Sequence, residues 1–125
     1  MNIPQHLKYS ASHEWVLMEG DLAIIGITDY AQKELGDLLF INLPNVDDEM
    51  VVDEAFADVE SVKAVSDIIA PVNGTIAQVN EELLDAPELI NQDAYAAWIV
   101  KAKDVTGLDD LLTADQYLEL ISKEG

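Results

Sequence analysis

Residues 59–67 read Val59-Glu60-Ser61-Val62-Lys63-Ala64-Val65-Ser66-Asp67 and set one ammonium group among residues that favour strands. Around them, Ala55 to Ala70 carries Phe56, Val59, Val62, Val65, Ile68 and Ile69 with little helical punctuation, so the stretch reads as β structure. Phe56, Val59, Val62 and Val65 recur at a spacing of three, which keeps a helix open on period alone. Ser61 to Ala64 holds no Gly, Pro or Asn, and the residues by themselves locate no turn there.

Downstream, Ala70-Pro71 and Asn73-Gly74 predict a turn, and Thr75 to Val79 predicts a short strand. Asn80 is positioned to cap a helix over Glu81 to Leu84, whose acidic first turn suits the helix dipole, and Pro87 stops it. Tyr95 to Lys103 reads as the last strand. Beyond Thr106-Gly107, Leu108, Leu111, Leu112, Leu118 and Ile121 recur at helical spacing. Thr113 and Gln116 form a capping box there, predicting a helix from about Ala114 to Ser122. Upstream, Glu14 to Leu17 and Leu22 to Ile27 flank Gly20-Asp21 as a hairpin. Thr28 or Asp29 caps a short helix over Tyr30 to Leu35 that Gly36 ends, and Asp37 to Leu43 follows as a strand closed by Pro44. The sum is a β-rich domain with peripheral helices and no internal repeat or linker.

The chain has 125 residues, half of them apolar, which supports one packed core and is too short for a two-domain enzyme. Its acidic residues number 25 against six lysines and no arginine, a net charge of −19. That balance argues against nucleic acid and against anionic membrane surfaces, both of which select clustered cations. Without cysteine there is no disulfide frame and no thiolate site. The start Met1-Asn2-Ile3-Pro4-Gln5-His6 lacks the features of a secretory or mitochondrial signal. Apolar runs such as Leu22 to Ile27 fall far short of the roughly 20 residues that cross a bilayer. A cytoplasmic chain with no membrane segment is the expectation.

Chemistry has few places to sit. The histidines are His6 and His13, no Gly-x-Ser-x-Gly elbow or Gly-rich phosphate loop occurs, and the abundant carboxylates read as a solvated face. No catalytic group and no metal site is expected. Lys8, Lys33, Lys101, Lys103 and Lys123 stand near predicted element ends or in polar surroundings; Lys63 does not. It has an ordinary reading, as a lysine on a wet strand face or paired with Glu60, and a functional one, as an amine presented to another protein. A Schiff-base lysine would need desolvation or a second cation to depress its pKa, and neither is visible nearby.

At these residues the sequence resembles the glycine cleavage system H-protein family, within the wider biotinyl- and lipoyl-attachment fold. The resemblance rests on Glu60-Ser61-Val62-Lys63-Ala64-Val65-Ser66-Asp67 followed by Ala70-Pro71-Val72-Asn73-Gly74 and Val79-Asn80-Glu81. His13-Glu14-Trp15-Val16, Gly26-Ile27-Thr28-Asp29-Tyr30-Ala31-Gln32, Leu35-Gly36-Asp37, Leu43-Pro44 and Pro87-Glu88-Leu89-Ile90-Asn91 match in the same order, so it spans nearly the whole chain. Two departures stand out. Asp47 and Asp53 occupy positions where the family usually has glycine, and Asp93-Ala94-Tyr95-Ala96-Ala97-Trp98 replaces its Pro- and Gly-rich run, one residue shorter.

The resemblance implies a mainly β fold, a flattened barrel or sandwich with a short internal helix and a C-terminal helix, as a single lipoyl-carrier domain over residues 1–125. It implies a carrier and not an enzyme, with lipoate joined in amide linkage to Lys63 at a hairpin tip. The chemistry is then the cofactor's. The partners it implies are glycine decarboxylase, a pyridoxal-phosphate enzyme; aminomethyltransferase; dihydrolipoamide dehydrogenase; and a lipoylating enzyme. Glu60 resembles the acidic residue that lipoylating enzymes recognise, with cross-strand charge pairing as its ordinary role. Ser61, Val62, Ala64 and Asp67 shape the hairpin and its rim, and Gly74 supplies a tight turn facing it. A relay that donates lipoyl groups to other acceptors, and a non-catalytic β interaction module with an unmodified Lys63, stay open. A biotin carrier is disfavoured because Val62 and Ala64, not methionines, flank the lysine.

Overall fold

The computed structural model describes Met1–Glu124. The chain runs β1 (Lys8–Tyr9), β2 (Glu14–Glu19), β3 (Leu22–Ile27), α1 (Asp29–Leu35), β4 (Leu38–Asn42), β5 (Glu49–Met50), β6 (Ala55–Ser61), β7 (Val65–Ile69), β8 (Asn73–Val79), α2 (Glu82–Asp85), α3 (Leu89–Gln92), β9 (Val100–Thr106) and α4 (Ala114–Glu124). The strands form a six-stranded sheet ordered β1-β2-β3-β9-β8-β5 and a three-stranded sheet ordered β4-β6-β7. The pairings in both are antiparallel. Neither sheet is closed, so the fold is mainly β with four helices, and the barrel form of the expectation gives way to two open sheets.

The buried faces share a core of Ile25, Ile27, Ile41, Val59, Ile68, Ile76 and Val100. β6 alternates between buried and exposed positions over Val59, Glu60 and Ser61, whereas β3 is buried on both faces, with Ile24 turned to a second cluster. A second cluster lies where α4 covers β1 and β2: Tyr9 and Tyr117 stack with ring centroids 4.7 Å apart, beside buried Trp15. No helix among the described residues is long and apolar enough to cross a membrane.

Local chemistry accounts for most boundaries. The Thr28 hydroxyl accepts from Ala31 N at 3.2 Å to start α1, and Gly36 ends it at φ 78, a left-handed conformation that glycine adopts freely. The capping box before α4 is closed both ways. Thr113 N donates to Gln116 Oε1 at 2.9 Å, and Gln116 N donates to Thr113 Oγ1 at 3.2 Å. Short β1, β5 and α3 carry no signal of their own length in the sequence and exist through their tertiary partners.

Three expectations need correction. Gly74 is not in a turn: the chain bends at Pro71-Val72, and Gly74 lies inside β8 opposite Met50. A Cβ there would stand 3.0 Å from the Lys103 carbonyl oxygen, so Gly74 serves close approach of β9 within the six-stranded sheet and not a tight turn. Asn80 does not cap α2 with its side chain, because its amide donates to Trp98 O at 2.8 Å. The last strand starts at Val100, not Tyr95. The Asp93 carboxylate accepts from Tyr95 N at 3.1 Å and Ala96 N at 3.2 Å, folding that segment into a turn that Trp15 secures by donating Nε1 to Ala94 O.

Asp47 and Asp53 hold φ of 77° and 72°, the left-handed region in which glycine is unstrained. Asp53→Gly is expected to raise the unfolding free energy by up to about 1 kcal/mol, whereas Asp53→Val, with a branched Cβ, lowers it. Urea denaturation of the two variants beside the parent chain checks the sign of each.

Candidate functional site

Lys63 stands at the apex of the β6–β7 hairpin, where Glu60 pairs with Val65 and residues 61–64 close the turn. The turn is made by a hydroxyl. Buried Ser61 donates its N–H to Ala64 O at 2.8 Å, and its Oγ accepts from Lys63 N and Ala64 N, each at 3.1 Å. Serine can substitute for Gly or Asn in this way by turning its side chain onto its own backbone. That was the signal available in Ser61-Val62-Lys63-Ala64, and it is easily overlooked because serine is common.

The apex is braced from below. Val62 N donates to Asp37 O at 3.0 Å, which joins the hairpin tip to the start of β4. The stem of Lys63 runs over Gly36, its Cε 3.5 Å from where a Cβ at that glycine would sit. Asn91 of α3 holds this junction from the other side. Its Nδ2 donates to Gly36 O and to Gln32 Oε1, both at 3.0 Å, while its Oδ1 accepts from Leu38 N at 2.9 Å. Gln32 in turn donates to Asp29 Oδ1 at 2.8 Å. Asn91 belongs to a helix that hydrophobic spacing does not announce, so its role was invisible in sequence.

Lys63 itself is exposed and makes no ion pair among the described residues. Pairing with Glu60 is therefore absent from the structure. Glu60 faces outward on β6 between Phe40 of β4 and Val65 of β7. Val62 and Ala64 flank the lysine in the open, and Asp67 lies lower on β7, opposite Asp58.

Asp67 also lines a cavity of about 270 Å³ that Ser12, Glu14, Tyr30, Val59 and Ser66 help to wall. At its wall Glu14 is 2% exposed and accepts from Ser10 Oγ at 2.6 Å, Ser12 Oγ at 2.5 Å and Ile69 N at 3.3 Å. Burial pushes its carboxyl up to about 7, against the lowering effect of those hydrogen bonds. His13, at φ 79, ties the cavity rim to α4: its Nδ1 is 2.8 Å from Tyr117 Oη and its Nε2 is 3.3 Å from Glu124 Oε1. His13 thus has the structural role its place beside β2 suggested. Glu14 carries no such signal, since one more acidic residue in a chain holding 25 stands out only when it is buried. The altered segment from Asp93 to Trp98 does not line this cavity.

The family model for the glycine cleavage H-protein matches residues 7–124. A glycine cleavage system H protein of Staphylococcus carnosus (strain TM300) is 53% identical over 126 residues, covering 98% of this chain and 100% of the relative. One from Halothermothrix orenii is 50% identical, covering 98% of each. The crystal structure of a glycine cleavage system H protein from Mycobacterium marinum superposes with a TM-score of 0.88 at 38% identity, covering 96% of this chain and 99% of that one.

The raised carboxyl of Glu14 has a sign-defined effect on stability. Folded, it keeps its proton up to a pH of about 7; unfolded, it releases it near the ordinary value of 4.5. The native state binds the extra proton between those values, so its contribution is complete below the lower one and is lost as pH rises through the upper. Between about pH 5 and about pH 7.5 the parent chain is expected to lose on the order of 2–3 kcal/mol relative to Glu14→Gln. Paired urea titrations at the two pH values measure this difference, and the pH dependence common to both chains cancels.

Proposed function

We infer, from the premise that this chain belongs to the glycine cleavage H-protein family, that Lys63 is its lipoyl attachment point. The carrier role follows from the family; the residue and the group are the finer reading. One observation carries it: an exposed lysine, without an ion pair among the described residues, at the apex of a turn locked by Ser61 and braced on Asp37 and Gly36. An amine that must be acylated by another enzyme has to project from a fixed root, and a swinging arm gains nothing if its root also moves. In the acylation, one amide forms between Nζ and the lipoyl carboxyl. The bond from that carboxyl to its activating group breaks, and the ammonium gives up two protons.

The residues fit such a group. When bound, the lipoyl dithiolane supplies the chemistry of accepting and handing on an aminomethyl group and of being reoxidised. The chain's own part is to hold, shelter and release. The cavity beside β7 is a place to hold the arm, since Ser66 and Asp67 of the same hairpin line it. Its buried Glu14, poised near neutrality, offers a counter-charge to an amine; a cation entering there lowers the carboxyl's pKa and draws off its proton. A buried carboxylate is worth far more to an ammonium than the many solvated ones outside.

The reading extends to a single lipoyl-carrier domain over residues 1–125, in the cytoplasm, with no active site of its own. Its partners are glycine decarboxylase, aminomethyltransferase, dihydrolipoamide dehydrogenase and a lipoylating enzyme. Ser61 fixes the turn, and Glu60, Val62, Ala64 and Asp67 form the rim around the arm. Tethering makes each delivery a local event at raised effective concentration, and the charge of −19 favours basic docking surfaces.

Coexpression with a lipoylating enzyme under saturating lipoate is expected to add one lipoyl group to the intact mass. Lys63→Ala and Lys63→Arg abolish the addition. An unchanged wild-type mass under those conditions overturns the assignment.

A further inference from the structure

The outer face of the small sheet carries exposed apolar residues at its Lys63 end. Phe40 of β4 lies opposite Glu60 of β6, which lies opposite Val65 of β7, so the three side chains cross the sheet side by side. Phe40 is 63% exposed and Val65 69%, with Val62 at the apex 59% exposed. The pairing irregularity between Leu38 and Phe40 aims Phe40 outward: Leu38 and Ile41 on either side are buried, while Leu39 and Phe40 both face solvent. Bulges re-aim side chains in this way. The next row down, Asn42, Asp58 and Asp67, is polar, with Asn42 Nδ2 donating to Asp58 Oδ1 at 2.6 Å, so the apolar patch is confined to the end of the sheet nearest Lys63. A large exposed aromatic on an edge strand is a liability for a free protein.

We propose that Phe40 and Val65, on either side of Glu60, form the footprint on which the enzyme that acylates Lys63 docks, with Phe40 as the anchor. This rests on the reading of Lys63 as the attachment point. Reach selects this partner over the others. A bare lysine carries its Nζ only about 6 Å from Cα, five bonds of about 1.5 Å in zigzag, and the reacting carbon must come within about 3 Å of it. An enzyme that acylates the amine therefore has to press on the hairpin and on the strand beside it. β4 lies one strand spacing, about 5 Å, from β6. Enzymes that meet the loaded arm work at its far end and need no such seat. The complementary surface is an apolar pocket for the Phe40 ring beside a basic side chain for Glu60, the composition of a buried anchor within a charged rim.

Full-length chain, a purified lipoate-attaching enzyme, lipoate and ATP test this, with acylation followed by intact mass. Phe40→Ser is expected to lower kcat/KM about tenfold or more, through KM and with kcat kept. Phe40→Trp restores it, and Val65→Ser shows a smaller loss of the same kind. Met18→Ser and Leu118→Ser, exposed apolar residues on β2 and α4, serve as controls and stay within about twofold of the parent. In competition, excess Lys63→Ala slows acylation of the parent chain, and the double variant Lys63→Ala/Phe40→Ser does not; this assay works at equal urea midpoints and needs no turnover of the variant. Parent chain acylated at Lys63 with Phe40→Ser equal to the controls overturns the footprint alone. Parent chain that is never acylated overturns the reading of Lys63 itself.

Discussion

Two hydrogen bonds to one hydroxyl hold the site in place. By accepting from Lys63 N and Ala64 N, Ser61 Oγ closes a tight turn between two strands without a residue of special backbone freedom. The geometry leaves Lys63 exposed at the apex of the hairpin while Ser61 itself is buried. A turn built on Gly would also close, but with more freedom at the position from which Lys63 projects. The bond from Val62 N to Asp37 O then transfers the load of the apex to the α1–β4 junction, and Asn91 and Gln32 transfer it further into the helical side of the molecule.

The same hairpin has two faces with different tasks. Its inner face contributes Val59 and Ile68 to the core shared by both sheets. Its β7 edge opens onto the cavity that Glu14 serves, and its outer face carries the row from Phe40 to Val65. A period-two element can do this because neighbouring residues point opposite ways. Conversely, shifting the register of β6 by one residue would bury Glu60 and expose Val59, so the packing that stabilises the sheet also fixes what it displays.

Electrostatics divides the carboxylates by burial, not by number. Most of the 25 acidic residues sit in water, where each interacts weakly and together they set the net charge. Glu14 differs only in being enclosed, yet enclosure alone moves its titration to neutrality, where a small change of environment alters its charge. The two serines that donate to it, Ser10 and Ser12, keep it from being an unsatisfied buried group.

Local chemistry was readable from the residues wherever it is local in cause. Thr28 and Gly36 bound α1, Thr113 and Gln116 start α4, Gly20-Asp21 joins β2 to β3, and Lys63 stands out as a cation without a reason to be there. Resemblance added that this lysine tops a hairpin. The spacing of three in Phe56, Val59, Val62 and Val65 could not choose between helix and strand, because the choice is made by pairing with β4 and β7, partners distant in sequence. Tyr95 and Trp98 have strand chemistry, but Asp93 captures the backbone ahead of them and Trp15 anchors the result. Gly74 reads as a turn until the β9 carbonyl that crowds it is known. The sequence by itself determined the caps of α1 and α4, the β2–β3 turn and the identity of the odd lysine, since those depend on neighbours a few residues away. Only the tertiary structure decided that Glu14 is buried, that Asn91 braces the junction beneath the Lys63 hairpin and that Phe40 stands exposed beside it, since each depends on residues the chain brings together from far apart.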